Sequence, residues 1–254
     1  MHDVSEDMSD FEAAVFLIDK PEGPTSFDMV RRIRRLLAMK KVGHAGTLDP
    51  FASGLLIVCA GRPATKMISS LMEGEKEYIA TLVLGHETTT QDPEGEIIAS
   101  CPVEDITPEK VRACLQSFVG EQMQTPPSFS ALKYKGKPLY YYARRGIEVK
   151  KDARRVHIGQ IERLGEDGVL TGPGSRLRIR VVCSKGTYIR TLAADIGRRL
   201  GCGAYLGELR RTRSGLFTVD ESFPGQDLLA EDEKRRFLAG ALSVNDVSNL
   251  LQKS

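Results

Sequence analysis

KVGHAGTLDPFASGLL, residues 41–56, is the stretch on which the reading of this 254-residue chain turns. Its three glycines, His44 and the Asp49-Pro50 step stand between a basic segment and an apolar run. That composition predicts a tight loop presenting backbone and one acidic side chain at the end of a sheet. Taken alone, Asp49 reads as a turn-former, because Asp before Pro is common in turns. On the amino-terminal side, Phe27, Val30, Ile33 and Leu37 share one helical face while Arg31, Arg32, Arg34 and Arg35 fill the rest, which predicts a basic amphipathic helix within 27–40. On the other side GLLIVCA, 54–60, reads as a buried strand.

Working outward, short apolar or alternating runs predict further strands at 14–18, 77–84, 95–99, 156–163, 177–183 and 204–210. A second helix is expected from Thr107 as N-cap, with Pro108 in the first turn, to a stop at Gly120. A third covers 187–200 and ends at Gly201. The fold class is therefore α/β in the α+β sense, a mixed and largely antiparallel sheet flanked by helices. Residues 121–148, rich in Pro, Tyr, Lys and Gly, read as an inserted surface loop with a short helix, and their Lys-Tyr alternation suits base stacking and phosphate contact. Three regions are expected: an acidic tail at 1–12, one body at 13–220, and a short, helical tail at 221–254.

The net charge of +2 conceals an asymmetry. Residues 1–12 hold five acids and no base, and 221–254 hold six acids against four bases, which leaves 13–220 with 32 bases and 23 acids. A basic body is the footprint of a protein that meets a polyanion, since Lys and Arg at phosphates release condensed counterions. No apolar run is long enough to span a bilayer and the amino terminus is acidic, so the chain reads as cytoplasmic with no membrane partner. Five scattered cysteines without a C-x-x-C pair read as buried thiols, and four unclustered histidines give no metal pattern. Catalysis is expected to need neither metal nor cofactor.

Five segments in order resemble one family: LIDKPEGPTSFDMV, KVGHAGTLDPFASGLL, EKEYIATLVLG, TPPSFSALKYKGKPLYYYARRGIEV and CSKGTYIRTLAADIGRRLGCGAYLGELRRT. Together they are similar to the TruB-type tRNA pseudouridine synthases across roughly residues 15–215. The resemblance implies a pseudouridine synthase fold and isomerisation of uridine 55 in the T-loop of tRNA, after the base is flipped out of its stack. It implies that Asp49 is the catalytic carboxylate, that Arg190 pairs with it, and that Tyr78 stacks on the target base. His44 corresponds to the residue filling the space the base leaves, Tyr188 and Leu209 to residues lining the uridine pocket, and Lys20 to a lysine beside the site. The residues are compatible with three routes from Asp49: attack at C1′, addition at C6, or removal of a ribose proton.

Many members of that family continue into a carboxy-terminal PUA domain, and the acidic residues after Arg213 do not read as a full one. The related guide-RNA class shares the GTLDP loop but normally carries that extension, so the expectation is a monomer acting on the tRNA T-arm without guide RNA. The rival from another class is a non-catalytic RNA chaperone using the same basic surface.

Overall fold

The computed structural model describes residues 12–229 and 234–253. Residues 1–11 of the expected acidic tail, and Glu231, Asp232 and Glu233 of the carboxy-terminal one, lie outside the described residues. In chain order the first elements are β1 (Ala14–Lys20), α1 (Ser26–Leu36), β2 (Val42–Ala45), β3 (Ser53–Ala60), α2 (Arg62–Lys66) and α3 (Ile68–Leu71). Then come β4 (Lys76–Leu84), β5 (His86–Thr88), β6 (Ile97–Ser100), α4 (Pro108–Gln116), β7 (Gly120–Gln124), β8 (Lys133–Tyr134), β9 (Lys137–Pro138) and α5 (Leu139–Ala143). The chain continues through β10 (Arg154–Arg163), β11 (Arg176–Cys183), α6 (Ile189–Leu200) and β12 (Ala204–Ser214). It closes with β13 (Phe217–Thr218), β14 (Phe223–Pro224), α7 (Lys234–Ala239), β15 (Leu242–Ser243) and α8 (Val244–Gln252). The chain divides into two compact units, residues 1–74 with 210–254, and residues 75–209.

In the first unit β1 pairs antiparallel with β3 along its whole length, from Ala14 opposite Ala60 to Lys20 opposite Gly54. A strand has two edges, so the remaining partners of β3 must share the other one. They do: β2 takes residues 57–60 antiparallel, and the end of β12 takes Ser53 and Gly54 in parallel. The loop 46–52 is thereby held between two strand ends. Alternation divides the apolar run of β1 between two cores. Phe16 and Ile18 join Met29, Val30 and Ile33 of α1 and Phe237 of α7, whereas Val15 and Leu17 join Leu55, Ile57 and Val247. Burial of each such side chain stabilises by about 1.5–3 kcal/mol before entropy is counted. Helix α1 begins where the sequence predicts because Thr25 and Asp28 form a capping box, Thr25 Oγ1 accepting from Asp28 N (3.0 Å) and Asp28 Oδ2 from Thr25 N (2.9 Å). The carboxy-terminal residues return to this unit, with β14 parallel and β15 antiparallel to β1.

In the second unit β4, β11, β10 and β7 pair antiparallel in that order. Leu177, Ile179 and Val181 of β11 lie opposite Leu82, Ala80 and Tyr78, all buried. The alternate residue Arg180 pairs with Glu77 (2.6 Å) and Glu162 (3.2 Å). Helices α4 and α6 pack on each other, and α6 stops at Gly201, whose φ of +90° is the left-handed cap that glycine supplies at least cost.

The mixed, largely antiparallel sheet flanked by helices is thus present, with its two named parallel pairs, β1–β14 and β3–β12, both made by returning chain. Three sequence expectations are corrected. Helix α4 ends at Gln116, and Gly120, expected as its stop, opens strand β7 with φ of +97°. The strand expected at 95–99 is the fully exposed β6 at Ile97–Ser100. Four cysteines are buried as expected, but Cys101 is exposed because it leaves that same outward hairpin.

Candidate active site

The first unit holds Lys20, His44 and Asp49 around one loop. Its backbone is fixed at four points. Ser26, buried at the start of α1, accepts from Leu48 N (2.9 Å) and donates to Leu48 O (3.0 Å), so one hydroxyl satisfies both peptide groups of the residue before Asp49. Ala52 N donates to Asp49 O (3.1 Å) and closes the turn. Lys20, fully buried at the end of β1, donates from Nζ to the carbonyls of Pro21 (2.8 Å), Pro24 (2.8 Å) and Pro50 (3.2 Å). Arg211, also buried, donates to Leu55 O from Nε (2.7 Å) and to Gly46 O from Nη2 (3.0 Å). Gly54 must be glycine: its φ is +100°, and a Cβ there would stand 2.3 Å from Arg211 O.

The charges follow from this packing. Burial lowers the pKa of Lys20 to about 8, opposed first by the attraction of Asp49 and also by Glu22, while Arg211 lowers it further. Asp49, half-buried, therefore lies in the field of Lys20. His44, half-buried on β2, is pushed below the ordinary imidazole range by burial and then by Arg211, which makes it neutral at pH 7. Its Nδ1 is buried without a hydrogen-bond partner. Asp19 and Arg210 form a bidentate pair (2.9 and 2.7 Å) next to Lys20 in sequence.

The second unit holds Tyr78, Tyr188, Arg190 and Leu209. Tyr78 and Leu209 are buried on β4 and β12, and Tyr188 is the half-buried N-cap of α6. Arg190 is 5% exposed in its side chain and donates to Asp92 Oδ2 (3.0 Å), Thr90 O (3.0 Å) and Phe129 O (2.6 Å). A buried guanidinium has to be met in such a way, by a carboxylate and by carbonyls. Asp92 is itself held, Oδ1 accepting from Glu94 N (3.0 Å) and from Thr90 Oγ1. Tyr188 is gripped by Gln124, described below.

The sequence reading missed Ser26, Arg211, Asp92 and Gln124. Two of these carried a signal. Asp92 precedes Pro93 as Asp49 precedes Pro50, and Arg211 is two residues beyond Leu209 on the same strand face. Of the cations between 144 and 155, Arg144, Arg145, Lys150, Arg154 and Arg155 are exposed, while Lys151 is half-buried and donates to Ser128 Oγ (2.7 Å). Tyr141 lies between two cations, with Lys137 4.2 Å and Arg145 3.7 Å from its ring centroid. Among the described residues no group of three His, Cys, Asp or Glu could hold a metal, and no helix is long and apolar enough to cross a membrane.

Comparison with known proteins adds an independent line. The family model for the TruB family pseudouridylate synthase N-terminal domain matches residues 34–189, and that for the tRNA pseudouridylate synthase B C-terminal domain matches 190–243. The chain is 64% identical over 243 residues to tRNA pseudouridine synthase B of Desulfotalea psychrophila, covering 96% of this chain and 98% of that one. It is 53% identical to the same-named protein of Aromatoleum aromaticum, covering 82% of this chain and 65% of that one. Among solved structures it is similar to a chain of a Cbf5-Nop10-Gar1 complex, with a TM-score of 0.69 and 30% identity over 92% of this chain and 60% of that chain.

Proposed function

The chain belongs to the TruB family of pseudouridylate synthases, and from that premise we propose that it isomerises uridine 55 in the T-loop of tRNA to pseudouridine, acting as a cytoplasmic monomer without guide RNA. The reaction breaks the bond from C1′ to N1, turns the base and joins C1′ to C5. The proton on C5 leaves and N1 gains one, so atoms balance without an oxidant or a second substrate.

In this reading Asp49 is the carboxylate that starts the reaction. Arg190 supplies the fixed positive charge that pairs with that carboxylate and favours its ionised form. Tyr78 presents a ring face to the flipped base and a hydroxyl suited to assisting proton removal at C5. Tyr188 and Leu209 line the base pocket, Lys20 fixes the turn that carries Asp49, and His44, neutral at physiological pH, props the space the base leaves. The exposed cations of the 133–155 region meet phosphates.

The observation that carries the reading is the fixed turn of Asp49: a half-buried carboxylate on a backbone held by Ser26 and Lys20, with the ammonium of Lys20 in its field. Such a group is preorganised, which a plain turn-former does not require. The test follows tritium release from C5-labelled uridine in a T-arm transcript. The native chain should release label stoichiometrically; Asp49→Asn should release none while binding the RNA nearly as well. Undiminished release by the variant removes Asp49 from the reaction, and binding by the native chain without release makes the protein an RNA chaperone.

A further inference from the structure

Strand β7 ends at Gln124, which is 6% exposed. Its amide faces the main chain of Tyr188 rather than another side chain. Tyr188 N donates to Gln124 Oε1 (2.8 Å), and Gln124 Nε2 donates to Tyr188 O (3.0 Å). The orientation of the amide is fixed, because one peptide donor and one peptide acceptor admit only one way round. Tyr188 is the N-cap of α6, with φ of −93° and ψ of 108°, and its own side chain makes no cap bond. Gln124 thus holds the two peptide planes that set the entry of that helix.

Two residues into α6 stands Arg190, and five residues after Gln124 stands Phe129, whose carbonyl accepts from Arg190 Nη2 at 2.6 Å. Pro126 and Pro127 lie between, each with a fixed φ and no N–H. The segment 124–129 therefore grips the start of α6 twice, once by the backbone of Tyr188 and once by the guanidinium of Arg190. We propose that Gln124 is a positioning residue for the isomerisation, fixing the α6 terminus so that Arg190 is held in its reactive orientation, and that it ties the root of the segment between β7 and β10 to the site. The inference rests on the function proposed above.

Gln124→Leu keeps the bulk and removes both bonds. The expected result on T-arm RNA is a loss of about 30- to 100-fold in kcat, the size of effect a small misplacement produces, with KM changed by less than about threefold. Gln124→Glu supplies a readout that a purely structural role does not move. Its ionised carboxylate accepts from Tyr188 N but repels Tyr188 O, whereas the protonated acid serves both. Burial and the facing carbonyl raise the pKa of the introduced carboxyl, so the rate of this variant divided by that of the native enzyme should rise severalfold from pH 8.5 to pH 6. An unchanged kcat in Gln124→Leu, a loss confined to KM, or a flat ratio in Gln124→Glu overturns the proposal. Should the Leu variant fail to fold, the Glu ratio decides alone. A native chain that releases no tritium overturns the functional reading instead, which separates the two failures.

Discussion

Replacing Gly54 by Ala is the sharpest perturbation beside the catalytic loop that changes no charged residue. Two costs add. An L-residue at φ of +100° costs about 1–2 kcal/mol. The new Cβ would stand 2.3 Å from Arg211 O and 2.7 Å from Arg211 N, where ordinary contact begins near 3.4 Å, so β3 and β12 must part by about an ångström. Parting them weakens the pairing at Ser53 and Gly54 and pulls Arg211 Nε from Leu55 O, leaving a buried carbonyl short of its donor at about 1–3 kcal/mol, with about 1 kcal/mol more for the weakened ladder. The total is about 3–6 kcal/mol, or a fall in Tm of about 10–20 °C for a chain of this size. Gly23→Ala is the control: φ is +99° there, but no atom lies within 4 Å of the added methyl, so only the backbone cost of about 1–2 kcal/mol remains. Calorimetric melting of the two variants beside the native protein measures the difference, and tritium release shows whether the residual folded Gly54→Ala still turns over. Equal Tm shifts in the two variants would refute the close approach of Arg211 as the reason for glycine.

Three further outcomes are expected. Asp92→Asn removes a buried carboxylate 3.0 Å from the guanidinium of Arg190 and should lower stability by about 3–5 kcal/mol by denaturant titration; a change below about 1 kcal/mol would show that Asp92 is not what balances that buried charge. Lys20 has a folded pKa of about 8 against 10.5 when solvated, so the unfolded chain binds more protons between those values and this residue's contribution to stability rises as pH rises through that window. Unfolding free energies of native and Lys20→Met proteins at pH 7 and pH 10 should therefore diverge in favour of the native chain at pH 10, and parallel curves would contradict it. Finally, RNA affinity should fall steeply with salt, and replacing exposed Arg144 and Arg145 by Gln should reduce the log–log slope by about 2; an unchanged slope would place the phosphate contacts elsewhere.

The elements legible in the sequence were those whose signal is local. The β1 run AVFLI is apolar on both faces because the strand is buried between two cores, and the Thr107-Pro108 start of α4 and the Gly201 stop of α6 are chemical necessities of helix ends. What was not legible depended on partners far along the chain. Arg211 in the run RRTRS looks like surface charge, and only the alternation of β12, together with β3 beside it, turns it inward. Gln124 carries no motif; its meaning arises from Tyr188, 64 residues later. Asp92 was hidden by a Thr- and Gly-rich turn that looked like connecting loop. The family resemblance points to residues of the site, whereas the groups that hold them in place are visible only in the folded hydrogen bonds.

The first unit is assembled from both ends of the chain, with residues 75–209 inserted between its halves. Synthesis on the ribosome proceeds in one direction, so β1 and β3 emerge about 150–185 residues before the parts of β12, β14 and β15 that complete their pairing. At about 5–20 residues per second that interval is roughly 7–37 s. During it the end of β3 at Ser53 and Gly54 and the outer edge of β1 lack their partners and form a template for wrong pairing. Of the four pins of the Asp49 loop, those of Ser26, Lys20 and Ala52 are therefore at hand early, and only that of Arg211 waits until the inserted residues have been made.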